Sequence, residues 1–328
     1  MAKVNVGHDY VYAFKRESTF GTATASDMTL IPCESMEVNH DYKTHTVARA
    51  IGDRAGGEDD TWQDTVGSIP ETSISFYAAE EVLPILPAFL NYDTDYTAVT
   101  NVWTYIAHTN YDDQPDFGAD EGYFYTLQAD GPAQQFNERI ISAVGKSLKF
   151  SLSPDSNEGA LYIEMSFIGK ESTINAAAKT GTDVEPDMSQ LFKWSELTTF
   201  NVNSVAFQDS LYEFSVELTN GAKPIPAGGG DNIALVMLEG KGSFKLLGSD
   251  VNTAALKALV ASNAPGNAIP IVVQWGDGTV SESGELNMNW DAVLTSYSLD
   301  KGEEETVTFE FDIKKTTSNF FRIQHYLA

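Results

Sequence analysis

The sequence predicts a mainly β protein: two tandem β-sandwich or half-barrel domains, each with one flanking α-helix. Three observations predict it. Strands of alternating polarity recur along the chain, a set of segments appears twice in the same order, and each recurrence holds one helix-spaced stretch.

The strands come first. Leu161, Ile163, Met165 and Phe167 alternate with Tyr162, Glu164 and Ser166. Val307, Phe309, Phe311 and Ile313 alternate with Thr308, Glu310 and Asp312, and Tyr212, Phe214, Val216 and Leu218 with Glu213, Ser215, Glu217 and Thr219. Period two with one polar face marks a half-buried antiparallel strand. Ile271-Val272-Val273 is a continuous apolar run, as expected of a strand covered on both faces.

The repeat comes next, because missing one misreads the whole fold. Phe150-Ser151-Leu152 precedes the strand at 161–167, and Tyr297-Ser298-Leu299 precedes the strand at 307–313, with an offset of 147 at Phe150/Tyr297 and 146 at Ile163/Phe309. Thr72 to Phe76 matches Gly242 to Leu246 at offset 170, each before an apolar segment. Ser35-Met36-Glu37-Val38 matches Ser215-Val216-Glu217-Leu218 at offset 180, and Leu127-Gln128 matches Val273-Gln274 at 146. Four matches in one order predict a duplication. The falling offset places extra loop residues in the first copy, within about 40–67 and 92–122. The polar stretch 176–190 lacks strand periodicity and reads as a linker. The predicted domains are therefore 1–175 and 191–328.

Each copy has one helical segment. Val82, Leu83, Leu86, Phe89 and Leu90 follow helical spacing, but Pro84 and Pro87 keep that helix short, with a proline in its first turn. In the second copy Ser249 or Asp250 can cap a helix to about Ala261, with Val251, Ala255, Leu256 and Leu259 as its apolar face. Asp277-Gly278 predicts a tight hairpin turn after Trp275.

Composition narrows the chemistry. Asp and Glu number 47 against 20 Lys and Arg, a net charge of −27. Such a surface repels nucleic acid and anionic lipid, since phosphate binding needs clustered cations. It either confers solubility or salt tolerance, or lines a passage for a polyanion that must not stick. No apolar run reaches the roughly 20 residues of a membrane span, and the N-terminal stretch has no apolar h-region, so neither membrane nor secretion signal is expected. Cys33 is the single cysteine, which excludes an internal disulfide framework.

No catalytic constellation emerges. His40 and His45 share a polar loop without a third ligand, so no metal site is expected. Cys33 has no base beside it in sequence, and no nucleophile elbow, phosphate loop or dinucleotide fingerprint occurs. The acidic run Asp112–Glu121 lacks calcium-loop spacing and reads as a solvated loop. The expectation is a non-enzyme with no cofactor.

The run Phe14-Lys15-Arg16-Glu17-Ser18-Thr19-Phe20-Gly21-Thr22-Ala23, followed by Leu30-Ile31-Pro32, resembles the opening of one group of tail tube proteins of long-tailed, siphovirus-type bacteriophages. The body, with its strands, long loop, strand–helix pair and closing strand, is similar to the tail tube fold, which makes both predicted domains tail-tube-like. The resemblance implies a virion protein, made in the host cytoplasm, that polymerises into stacked rings forming a conduit for DNA ejection. Its implied partners are itself and other tail proteins at the tube ends, and DNA passes through the lumen without specific binding. With a duplicated domain, the expected ring is a homotrimer of pseudo-sixfold symmetry, with a homohexamer as the alternative. The loop Tyr42 to Asp64 resembles the loop that contacts the next ring, and it holds Arg49, Arg54, Glu58, Asp59 and Asp60 as the inter-ring contact residues. Other readings are a capsid-associated or tail-tip structural protein, or an extracellular carbohydrate-binding or carbohydrate-cleaving β-protein. The last requires a cluster of exposed aromatic rings that the sequence does not locate.

Overall fold

The computed structural model describes residues 10–48, 61–90, 93–97, 101–107, 122–131, 137–227, 230–235, 238–248, 252–261, 268–277, 280–302, 305–314 and 320–327. The chain is mainly β, with strands paired antiparallel in a large sheet. The first half holds β1 (Val11–Arg16), β2 (Thr29–Ile31), β3 (Cys33–Ala48), β4 (Thr61–Tyr77), α1 (Pro87–Leu90), β5 (Asp93–Thr97), β6 (Val102–Ala107), β7 (Tyr125–Asp130), β8 (Glu138–Leu152), β9 (Tyr162–Ile168) and β10 (Glu171–Ile174). The second holds β11 (Leu197–Val202), β12 (Val205–Ala206), β13 (Leu211–Thr219), β14 (Lys223–Ala227), β15 (Gly230–Ala234), β16 (Glu239–Leu247), α2 (Thr253–Ala261), β17 (Ile269–Trp275), β18 (Leu286–Lys301), β19 (Glu305–Ile313) and β20 (Phe321–Tyr326).

The two halves share a pattern of pairing. In the first, β1 pairs with β2 and β7, β8 with β7, β9 and β10, and β4 with β3 and β9. In the second, β11 pairs with β12 and β17, β18 with β17, β19 and β20, and β16 with β13 and β19. The registers refine one sequence match. Phe76 lies opposite Ile163 and Phe244 opposite Phe309, so Phe76 corresponds to Phe244 at an offset of 168. The shift from the sequence match is two residues, which leaves the same side chains on the same face.

The alternating residues are sorted as their polarity requires. Ile163, Met165 and Phe167 are buried, as are Val307, Phe309, Phe311 and Ile313. On β13 the alternation read from Tyr212 breaks. A register shift between Leu211 and Glu213 puts Leu211 in the core instead, and Tyr212 lies half-buried beneath Lys245. A bulge adds one residue and flips the phase. Val272 is only half-buried between the buried Ile271 and Val273, so β17 is not sealed on both faces.

The helical segments are shorter than the sequence suggests. Leu83–Ile85 is a single 3-10 turn with Pro84 inside it, and α1 begins anew at Pro87. Proline offers no N–H, so the two prolines divide one apolar stretch into two turns. In α2, Leu256 is buried but Ala255 is exposed; Ser249, Asp250 and Val251 lie outside the described residues.

Connections differ more. The outer parts of the loop read at Tyr42 to Asp64 are strand, since β3 pairs with β4 out to Ala48 and Thr61. The span 92–122 contains the β5–β6 hairpin, and β6 pairs with β20, so the first half supplies two strands to the second half's sheet. The linker 176–190 is pinned: Thr180 and Val184 bridge in parallel to Ser26 and Thr29, and the Asp27 carboxylate accepts the Thr182 N–H at 2.9 Å. Trp275 lies opposite Leu286, so ten residues rather than two separate the paired strands, and Gly278 of the expected turn lies outside the described residues. The connection to β18 runs from 276 to 285, and the Glu285 carboxylate gathers it by accepting N–H groups of Asp277 at 3.4 Å, Glu282 at 2.8 Å and Ser281. Glu80 of the first half grips the same connection, accepting from the Ser283 hydroxyl at 3.2 Å and from the Gly284 N–H.

One buried apolar cluster runs through both halves. Across the halves, Phe150 of β8 stacks on Phe321 of β20 at 6.0 Å. The halves are thus packed into a common core rather than strung on a free linker.

Candidate functional site

The surface with the most organised chemistry is the polar side of the sheet that runs through both halves. Its strand order is β3, β4, β9, β8, β13, β16, β19, β18, and the passage between halves is the pairing of β8 with β13. There Phe214 lies opposite Leu152, Val216 opposite Phe150, and Leu218 opposite Leu148. All six are buried. The junction is therefore sheet-continuous on one side and core-continuous on the other.

The intervening residues form cross-strand rows on the outer face. One row reads Ser75, Glu164, Lys149, Glu217, Lys241, Asp312 across six strands. Its signs alternate, with Lys149 to Glu164 at 2.7 Å and Lys241 to Glu217 at 3.4 Å. These side chains are 40% to 71% exposed, so each pair contributes only about 0.2–1 kcal/mol. Their physical effect is on register, because a one-residue slip would carry these charges to the core face. The neighbouring rows are rich in hydroxyls: the Ser147 and Ser166 oxygens lie 2.5 Å apart, and Ser296 donates to Glu310 at 2.6 Å. The face is polar, hydroxylated and acid-bearing from one half to the other.

The run at 14–23 is occupied inside the molecule. The Glu17 carboxylate is buried and accepts from the Thr126 hydroxyl at 2.7 Å, the Ser142 N–H at 2.8 Å and the Ser142 hydroxyl at 2.6 Å. Burial pushes its carboxyl above the usual range, with the Ser142 and Thr126 hydrogen bonds opposing. Gly21, at φ +83°, is placed where an added Cβ would meet the Lys170 ammonium. Arg16 lies over the Tyr123 ring at 4.0 Å. The motif clasps β1 to the β7–β8 bend.

The other candidates resolve as follows. Arg49, Arg54, Glu58, Asp59 and Asp60, the contact residues expected from the resemblance, lie outside the described residues, as do His8, His108 and Asp112–Glu121. Cys33 is partly buried and packs on the core. His325 is buried, with Nε2 2.9 Å from the Tyr105 hydroxyl and Nδ1 2.9 Å from the Tyr326 carbonyl; burial lowers its pKa to about 4. Among the described residues no group of three or more His, Cys, Asp or Glu is placed to hold a metal ion.

An aromatic cluster that the sequence does not reveal is assembled from three segments. Phe14, Trp103, Tyr105, Tyr123 and Tyr125 line a hollow of about 210 Å³ with Pro84 and Pro87. Tyr105 and Tyr125 are buried, and the Tyr125 hydroxyl donates to the Pro84 carbonyl at 2.7 Å. Of the five rings only Trp103 and Tyr123 are part-exposed, so the hollow is a flank of the core more than a platform for stacking sugars.

No family model matches the sequence, and no curated protein matches it either.

Proposed function

We propose that this chain is a structural protein that polymerises through its sheet into rings, and that the rings stack as a tube of the long-tailed bacteriophage type through which DNA passes. The observation that supports this most directly is the β8–β13 junction. It joins two similarly paired halves edge to edge, so that one polar-faced sheet spans both. A unit that already extends its sheet by adding a second unit has a rule for extension. Repeating that rule between molecules curves the sheet, and closure into a ring removes the exposed edges that otherwise invite aggregation.

Two units per chain favour a ring of three chains with pseudo-sixfold symmetry over a ring of six. The acid-bearing, hydroxyl-rich face then lines the lumen, where net negative potential denies phosphates a binding partner. The net charge of −27 fits a conduit better than a nucleic-acid binder. The role is architectural and needs neither catalytic residues nor a cofactor. Its place is the virion tail, with other tail proteins at the tube ends.

The test is negative-stain electron microscopy of concentrated purified protein, together with the mass of its complexes in solution. Hollow end-on views of three- or sixfold symmetry and a mass of three chains are the expected outcome. Compact monomers at every protein and salt concentration would refute the proposal.

A further inference from the structure

The correspondence of the halves identifies two surfaces that lack a counterpart within one molecule. Phe150 and Leu152 on β8 are each 1% exposed because β13 covers them. Phe150 lies opposite Ile163 on β9, as Tyr297 lies opposite Phe309 on β19. Tyr297 and Leu299 are therefore the second half's versions of Phe150 and Leu152, yet they are 43% and 40% exposed. Leu294–Leu299 pair with β19 along one edge; along the other, where β8 holds β13, no strand is paired among the described residues.

The covering strand has its own counterpart. Val216 lies opposite Gly242 and Met36 opposite Ile74, while Gly242 and Ile74 lie opposite Phe311 and Met165, which correspond. Residues 36–38 of β3 thus correspond to residues 216–218 of β13. β3 pairs with β4 on one edge, and its other edge has no strand among the described residues.

We infer that residues 36–38 of β3 pair antiparallel with residues 294–297 of β18 in a second copy of this chain, in the register that β13 uses on β8. The inference rests on the assembly proposed above and specifies its contact. Met36 then lies opposite Tyr297, as Val216 lies opposite Phe150. Glu37 lies opposite Ser296, as Glu217 lies opposite Lys149, and Val38 opposite Leu294, as Leu218 opposite Leu148. The extra residue Thr295 is absorbed by the register shift between Leu294 and Ser296. The contact is head-to-tail, so each copy offers one of each edge and a closed ring leaves none unused.

Directly opposed residues in an antiparallel pair have Cα atoms about 4.5–5.5 Å apart, within the range a disulfide bridges. The test uses the full chain with Cys33→Ser, so that only introduced thiols react. Chains carrying Glu37→Cys alone are mixed with chains carrying Ser296→Cys alone and oxidised. The expected product on a denaturing gel is a covalent dimer that forms in the mixture and in neither variant by itself. A chain with both substitutions gives a ladder ending at the ring size, and replacing Ser296→Cys by Ser298→Cys reduces the yield at least tenfold. Rings by microscopy with no Glu37–Ser296 cross-link overturn the register and leave the tube proposal standing. Dimers of Glu37→Cys alone overturn the head-to-tail arrangement. Monomers throughout overturn both, with circular dichroism confirming that the variants retain their β structure.

Discussion

Replacing Gly242 with alanine tests whether the second half's core is fitted to the absence of a side chain there. An added Cβ would lie 2.4 Å from the Phe311 ring and 2.4 Å from the Ser215 main-chain oxygen. At the similarly paired position of the first half, Ile74 lies opposite Met165, whereas here Gly242 lies opposite Phe311. Overfilling a packed core costs about 1–3 kcal/mol, and a main-chain oxygen cannot rotate aside, so the loss should be about 3 kcal/mol. With a urea slope of about 3 kcal/mol per M, the unfolding midpoint falls by about 1 M. Phe311→Met alone should also destabilise, by opening space beside the glycine. Combined, the two substitutions should be at least about 1 kcal/mol better than their sum, because each relieves the other. The assay is urea unfolding followed by tryptophan fluorescence. A Gly242→Ala midpoint unchanged within error, or a double variant equal to the sum of the singles, would refute the reasoning.

Three further outcomes follow from buried groups and one turn. Glu17 has a folded pKa above its ordinary 4.5, so its contribution to stability is full below that value and is lost as pH rises through the folded pKa; the midpoint of the natural chain minus that of Glu17→Gln should shrink from pH 4.5 to 7, and a widening gap would contradict the burial argument. His325 has the opposite sign. Its pKa falls from 6.5 to about 4, so its stabilising effect is present above 6.5 and is lost as pH drops toward about 4, and His325→Phe should flatten that part of the pH profile measured by thermal unfolding. Gly21→Ala forces φ +83° on a residue with a Cβ and displaces Lys170, and should lower stability by about 1–2 kcal/mol by the same urea assay; no change would mean the turn relaxes freely.

Much of the fold is legible in the sequence because half-buried strands announce themselves. Ile163, Met165 and Phe167 point inward because their neighbours are polar, and no tertiary information is needed to see it. What escapes is set by distance along the chain. β5, Asp-Thr-Asp-Tyr-Thr, has no apolar alternation and is strand because β6 pairs with it and with β20. The bulge at Leu211 is invisible because Tyr212 and Leu211 both look like core residues. The gathering of 276–285 depends on Glu80, roughly 200 residues away, so a local Asp-Gly signal misleads there. The candidate surface is similar. Each of Glu164, Lys149, Glu217 and Lys241 reads as an ordinary polar strand position, and only register turns them into a row.

The pairing of β6 with β20 has a consequence for synthesis. Val102 lies opposite Tyr326 and Ala107 opposite Phe321, so the β5–β6 hairpin waits for a strand made roughly 200 residues later. At about 5–20 residues per second, the roughly 200 residues between them take on the order of 10–40 s to emerge. Through that interval the nascent chain presents an incomplete sheet whose edge other chains on the same message can reach. The order of events therefore matters: a chain that completes its own sheet before meeting a neighbour enters assembly with the correct edges showing.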